Sequence, residues 1–308
     1  MAYDRLNAYP GFELPPERSP FPWVNVALFA ATVLTTLLVG TLFMLDFDGV
    51  DTAAAPLGLL FEDPWQLTRG LGFMLALISI LLAHEMGHYL TCRYYRIRAT
   101  LPYFIPAPTM VGTFGAFIKI RSPFPHRASL FEVGVAGPIA GFVVAVPILL
   151  YALTLSRFIP ADTTEDLLTL GEPLIWIAGA HLMGAVPPEG MELYVHPIGF
   201  AAWVGFLVTA LNLLPAGQLD GGHMIYALVR RAHGWISRGV VFLLFPLGIF
   251  LWPGWLVWAV LLVLLGTRHP PTLDDEAPLE RRQILLAIAG LVIFILCFMP
   301  IPIAINQF

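Results

Sequence analysis

Uncharged windows of about 20 residues recur along this chain, each long enough to cross the hydrocarbon core of a bilayer as a helix. Segment 24–45 contains no Asp, Glu, Lys or Arg, and at about 1.5 Å per residue it reaches roughly 33 Å. Similar windows cover 70–92, 133–155, 196–214 and 284–305, and Glu85 is the one formal charge among them. Segment 240–266 is also uncharged but is interrupted by Pro246 and by Pro253-Gly254. It reads either as one long tilted span or as two short helices joined at Pro253-Gly254. The expected fold class is an all-α polytopic membrane protein with about six to seven transmembrane helices.

Composition agrees. Hydrophobic residues make up 58% and charged residues 12%, which excludes disorder and leaves too little polar surface for a soluble domain. A net charge of −5 gives no electrostatic footprint for nucleic acid, so none is expected as a partner. The cysteines Cys92 and Cys297 lie in or beside apolar segments, so they build no disulfide framework and indicate no redox compartment. Residues 1–22 form a polar, proline-rich tail. The arrangement of a cleaved signal peptide and the Arg-rich pattern of a transit peptide are both missing, so 24–45 reads as an uncleaved anchor.

Lys and Arg set the orientation. Arg93, Arg96, Arg98, Lys119, Arg121 and Arg127 fill the stretch between the second and third windows, and Arg230, Arg231 and Arg238 follow the fourth. Segments 46–69 and 156–195 are acidic, and Arg69 and Arg157 are the only Lys or Arg residues in them. The N-terminus, 93–130 and 220–238 are therefore expected on the cytoplasmic side. Arg268, Arg281 and Arg282 join them if 240–266 is a hairpin, which favours the hairpin. Segment 97–121, broken by Pro102, Pro106, Pro108, Gly112 and Gly115, has two strand-like runs. It is expected as a small β hairpin or sheet against the cytoplasmic side of the bundle.

The second window ends in His84-Glu85-Met86-Gly87-His88. Residues four apart share a helix face, so both imidazoles can grip one ion, and zinc suits two His and one carboxylate with an open fourth position. Glu85 can take a proton from water activated by that ion. Ionisable groups inside an apolar span cost several kcal/mol unless paired, hydrated or metal-bound. The motif lies roughly 21 Å from the outer end of its helix, so a cytoplasmic water cavity is expected. A third ligand must come from elsewhere at that depth. In Asn212-Leu213-Leu214-Pro215-Ala216-Gly217-Gln218-Leu219-Asp220-Gly221-Gly222-His223, Pro215 and Gly217 interrupt the helix. The chain can then double back and bring Asp220 near the metal, although Asp220 is also a plausible helix cap.

His84-Glu85-x-x-His88, followed by Asn212-x-x-Pro215-x-x-x-Leu219-Asp220-Gly221, resembles the site-2 protease family of intramembrane zinc metalloproteases. The resemblance covers roughly 70–225, including Gly112-Thr113-Phe114-Gly115 and Gly134-Val135-Ala136-Gly137-Pro138. Trp252-Pro253-Gly254-Trp255 and Arg268-His269-Pro270-Pro271 are more weakly similar to compact bacterial and plastid-type members without a PDZ-like insertion. The resemblance implies one catalytic Zn²⁺ held by His84, His88 and Asp220. It implies Glu85 as general base and Asn212 as a hydrogen-bonding group for substrate or oxyanion. The implied reaction is regulated intramembrane proteolysis of transmembrane protein substrates within the lipid bilayer. A locally unwound substrate could add to a sheet edge at Gly112, Thr113, Phe114 and Gly115. The expected organisation is one membrane-embedded protease domain over 23–308, with a metal core at 70–225. The expected location is a bacterial cytoplasmic membrane, with the active site toward the cytoplasm.

Other features read as ordinary. Gly134, Gly137 and Gly141 suit close helix packing. Trp23, Trp65 and Trp203 suit interfacial anchoring. His223 could stand behind the metal ligands, whereas His126, His181, His196, His233 and His269 have no partner spacing. Two competing readings are an ion transporter using the His/Glu/Asp cluster and a proteolytically inactive scaffold that binds membrane helices. The position of the motif near one face, the lack of a repeat and the intact motifs argue against them.

Overall fold

The structure, a computed structural model, describes residues 21–50, 63–161 and 169–304. Most of the polar tail, residues 1–20, lies outside the described residues.

Helix α1 (Trp23–Phe47) is mostly apolar, and two of its buried threonines bond to carbonyls of the preceding turn. Thr36 Oγ1 donates to Thr32 O (2.7 Å) and Thr41 Oγ1 to Leu37 O (2.9 Å), so neither leaves a bare hydroxyl in an apolar bundle. A 3₁₀ turn (Pro64–Gly70), capped by Asp63, leads into α2 (Leu71–Tyr94). Gly40 and Gly70 let α1 and this turn meet: a Cβ at Gly70 would overlap Leu37 O and Thr41. Helix α3 (Arg127–Leu155) starts at a capping box formed by His126 and Ser129. Phe73, Leu77 and Ile80 of α2 and Phe131, Leu149 and Val133 of α3 are fully buried, making this pair the centre of the molecule. Helix α4 (Leu174–Met183) is short and buries Trp176 and Gly179. Helix α5 (Pro197–Asn212) is capped by His196, whose Nδ1 accepts from Ile198 N, with proline at its first position.

Helix α6 (Asp220–Phe250) begins well before the uncharged window 240–266. The stretch 220–238, which carries no apolar window, is helical and is broken at Val229 (φ −136°, ψ 56°). Beyond the break the chain returns beside the start of the helix: Ser237 Oγ accepts from Gly217 N (3.1 Å), and His233 Nε2 lies 3.1 Å from Gly217 O. Helix α7 (Gly254–Leu265) follows a turn at 251–253, so 240–266 forms two helices rather than one long span. Helix α8 (Arg281–Cys297) has a capping box at Glu280 and Gln283. Its Gln283 and Arg282 bond to buried Glu132 of α3 (2.7 and 3.1 Å).

The fold is mostly helical. By length and composition, four segments suit a membrane span: Trp23–Phe47, Pro64–Tyr94, Arg127–Leu155 and Asp220–Phe250. Shorter apolar helices include Pro197–Asn212 and Gly254–Leu265. Exposed Leu75, Val143, Phe242, Phe250 and Leu264 fit a lipid surround.

Strands β1 (Tyr103–Pro106) and β2 (Thr113–Phe117) form an antiparallel hairpin, with Ala99↔Ile120 bridged beyond them. The hairpin does not lie flat on the end of the bundle. Asn25 Nδ2 donates to Leu101 O and Pro102 O (2.9 and 3.0 Å), and Thr35 Oγ1 donates to Gly112 O (2.7 Å). It therefore runs along α1, its tip level with the middle of that helix, where neighbouring protein satisfies its backbone. Two sheets were not anticipated: β3 (Arg157–Pro160) with β5 (Met191–Tyr194), and β4 (Thr169–Leu170) with β6 (Ile303–Ala304). Trp203 is not an interfacial anchor. It is buried and donates to Gly171 O (2.7 Å), whereas Trp23 and Trp65 are exposed.

Candidate metal centre

His84 and His88 share one face of α2 and are both buried. Asp220 reaches them because the chain stops and turns between α5 and α6. Gly217 has φ +56°, and a Cβ at Gly221 or Gly222 would overlap the carbonyls of Leu213 or Gly217. Only glycine allows the chain to double back this tightly at one level.

Asp220 Oδ2 lies 3.2 Å from His84 Nε2 and 3.3 Å from His88 Nε2, and one donor atom from each residue falls within 4.8 Å of the others. Two ligand atoms held about 2.1 Å from a tetrahedral ion stand about 3.4 Å apart. The donors also carry lone pairs in the right place. His88 Nδ1 lies 2.7 Å from Val133 O, and a carbonyl only accepts, so Nδ1 bears the hydrogen and Nε2 turns its lone pair toward Asp220. The residues fit one zinc ion.

Asn212 Nδ2 sits 3.3 Å from His84 Nε2, at the rim of this triad. Glu85 is buried and lies beside the backbone N–H of Ile118, just past β2. The site thus joins α2, the end of α5, the start of α6 and the hairpin. The glycines of α3 form its wall. A Cβ at Gly137 would overlap His88 Nε2, one at Gly141 would lie 3.3 Å from His84, and one at Gly134 would lie 3.0 Å from the His223 side chain.

The four hairpin residues separate into two pairs. Gly112 (φ +78°) packs on the α1 backbone, and Thr113 is buried, donating to Ile105 O (2.7 Å) and accepting from Gly115 N (2.9 Å). Phe114 is 73% exposed, and a Cβ at Gly115 (φ +100°) would meet open space.

The model of peptidase family M50 matches residues 72–251, more than half of the chain. The chain belongs to peptidase family M50. Among curated relatives of this M50 chain, "Probable zinc metalloprotease EGY2, chloroplastic" of Oryza sativa subsp. indica is 30% identical over 294 residues, covering 94% of this chain and 52% of that protein. "Probable zinc metalloprotease EGY1, chloroplastic" of Arabidopsis thaliana is 30% identical over 234 residues, covering 73% and 42%. The chain spans about half the length of the curated relatives it matches.

A second cluster was not legible in the sequence. His223 Nδ1 lies 2.7 Å from His269 Nε2, and Tyr226 donates to Asp275 (2.9 Å). Arg230 pairs with Asp275 (3.4 Å), and Arg127 donates to both Ala227 O and Ala277 O (3.1 and 3.0 Å). The strap between α7 and α8 is thereby laid over the first half of α6. Burial pushes His269 down to about 4, so it is neutral at neutral pH. The one cue in the sequence was Arg268-His269-Pro270-Pro271, but no local spacing links His269 to a partner 46 positions away.

Proposed function

We propose that this chain is an intramembrane zinc metalloprotease that hydrolyses peptide bonds in or next to transmembrane helices of membrane-anchored proteins. The observation that carries the reading is the convergence of His84 Nε2, His88 Nε2 and Asp220 Oδ2 within an apolar bundle, with Glu85 beside them.

Zinc bound by His84, His88 and Asp220 supplies Lewis acidity, which polarises a carbonyl and makes water nucleophilic near neutral pH. Glu85 accepts the proton of the attacking water and returns it to the nitrogen of the leaving amine as the C–N bond breaks. The Asn212 amide donates to the oxygen of the scissile carbonyl as negative charge develops there. Val133 O holds the His88 ring in the tautomer that binds metal. A helical substrate must unwind to expose its peptide bond, and the hairpin offers an edge beside Glu85, with Phe114 and Gly115 as its open positions and Gly112 and Thr113 as its frame.

The domain extends over residues 23–308. Helices α5, α8 and the α6–α7 hairpin supplement the spans in α1, α2 and α3, giving six or seven membrane-embedded helical segments. The concentration of Lys and Arg in 93–127 supports the metal end as the cytoplasmic face of a bacterial cytoplasmic membrane. Both relatives named above are described as chloroplastic.

The test measures metal content and cleavage on one detergent-purified sample against a set of single-span helices. Wild type should carry about one zinc per chain and cleave. Glu85→Gln should keep the zinc and lose roughly 10²–10⁴-fold in rate. Asp220→Ala should lose both. No bound metal under metal-replete conditions would overturn the reading.

A further inference from the structure

A cavity of about 550 Å³ lies at the end of the bundle opposite the metal centre. Phe43 and Phe47 of α1, Trp176 of α4 and Phe200 and Trp203 of α5 line it, as does Met110 at the hairpin tip. Its volume suits a segment of about three or four residues.

The charge at its mouth is one-sided. Asp46, Glu172 and Glu192 line the cavity, and no Lys, Arg or His does so among the described residues. Asp46 accepts from Tyr194 (2.6 Å), while Glu172 and Glu192 are exposed and have no partner among the described residues. The nearby cations are occupied: Arg69 pairs with Asp48, and Arg157 lies over the rings of Phe47 and Tyr194 and donates to Phe47 O. Residues 51–62 and 162–168, outside the described set, contain no Lys or Arg. Among the described residues, no Lys or Arg near this mouth is left without a partner. Aromatic faces beside unpaired carboxylates recognise a cation attached to an apolar body.

We infer that this cavity binds a basic residue with an adjoining aromatic or apolar residue, carried by the substrate where its transmembrane helix leaves the bilayer at the end opposite the cleaved bond. The inference rests on the proteolytic reading and names the substrate feature that reading leaves open. The hairpin connects the two places, with Ile118 beside Glu85 at one end and Met110 in the cavity at the other. Helix α5 provides a scale, because Pro197, Phe200 and Trp203 line the cavity and Asn212 borders the metal ligands. That separation is about 9 to 15 residues, or roughly 14–22 Å of helix. The basic residue should lie at a similar distance from the cleaved bond, counted along the part of the substrate that stays helical.

The probes are Leu/Ala single-span peptides of about 20 apolar residues, bearing Arg-Trp, Gln-Trp or Glu-Trp at the end away from the cleavage region. The full-length protein is reconstituted in phosphatidylcholine nanodiscs. Binding is read with Glu85→Gln protein, and KM and kcat with wild type. The Arg-Trp peptide should bind about ten-fold tighter than the Glu-Trp peptide, with the difference appearing in KM rather than kcat. Glu172→Gln with Glu192→Gln should remove the preference, and Glu172→Lys with Glu192→Lys should reverse it. Equal binding of the three peptides, or an unchanged order in the charge-reversed protein, would overturn the inference even if all three are cut. A charge preference in binding with no cleavage by wild type would uphold the cavity and sink the protease reading. Stoichiometric retention of phosphatidylethanolamine in mixed-lipid discs, with no discrimination among peptides, would assign the cavity to a lipid amine and overturn the inference.

Discussion

At the residue scale, the metal centre depends on an atom that is absent. Gly137 has no side chain, and a single methyl group there would occupy the space of His88 Nε2. Gly137→Ala should therefore move the imidazole away from Asp220 and weaken zinc binding about 10- to 100-fold, the range seen when the support of a ligand is lost. Competition with a chelator measures this directly. Gly234→Ala is the control: nothing lies within 4 Å of its added Cβ, so zinc affinity should not change. If Gly137→Ala retained full affinity, α3 would not be the rigid wall of the site. The contrast also shows what a sequence can disclose. His84, Glu85 and His88 are legible because helix geometry alone puts positions four apart on one face. Asp220 is legible only in combination with that motif. Gly137 and Val133 O were hidden, because a glycine that permits helix packing and a glycine that makes room for a ligand look the same in one dimension. Their roles depend on which residue of α2 lies opposite.

At the element scale, the strap after α7 holds the broken helix α6. Arg127 supplies donors to Ala227 O beside the break and to Ala277 O in the strap. The His223–His269 contact joins the same pieces. The pH dependence follows from His269, whose pKa falls from 6.5 to about 4 through burial. A histidine kept neutral by the fold contributes no pH-dependent penalty above its unfolded value. Between about pH 6.5 and 4 the open strap binds more protons than the closed one, so the closed strap loses stability as pH falls. Around His269 stand His223, Tyr226 and His233 of α6 and Asp275 of the strap itself. Hydrogen exchange over 267–278 should quicken progressively below about pH 6.5, and His269→Gln should flatten that dependence. Unchanged protection at pH 5 would show that the strap is held without this contact. The hairpin offers a separate check. Thr35→Val deletes the bond to Gly112 O and should cost about 1 kcal/mol, seen as faster exchange over 107–113. None of these contacts has a local signature, since Arg127, His223 and Asp275 lie on three different elements.

At the scale of the whole molecule, the uncharged windows predict where apolar helices form but not which of them cross. Windows 24–45, 70–92 and 133–155 became long helices because nothing interrupts their hydrogen-bond ladders beyond tolerated prolines. In 240–266, Pro253-Gly254 ends one helix and starts another, and the two pieces are short. Gly254–Leu265 is 12 residues, about 18 Å, little more than half the hydrocarbon core. Arg238 and Arg268 line one common cavity, so the chain enters and leaves this region on the same side. Segment 240–266 should therefore be a re-entrant hairpin, with residues 251–253 inside the bilayer. Cysteine labelling in sealed vesicles tests this, because native Cys92 and Cys297 are both fully buried and should stay silent. Gly239→Cys and Thr267→Cys should react with a membrane-impermeant maleimide from the same side, and Trp252→Cys from neither. Labelling of the first two from opposite sides would convert the hairpin into a true crossing. That result would also place Arg281 and Arg282 on the opposite side from Arg238. Arg282 bonds to Glu132, on the same helix as Val133, whose carbonyl holds His88. The side from which α8 enters is thus tied to the depth of the metal centre, and one labelling experiment reports on both.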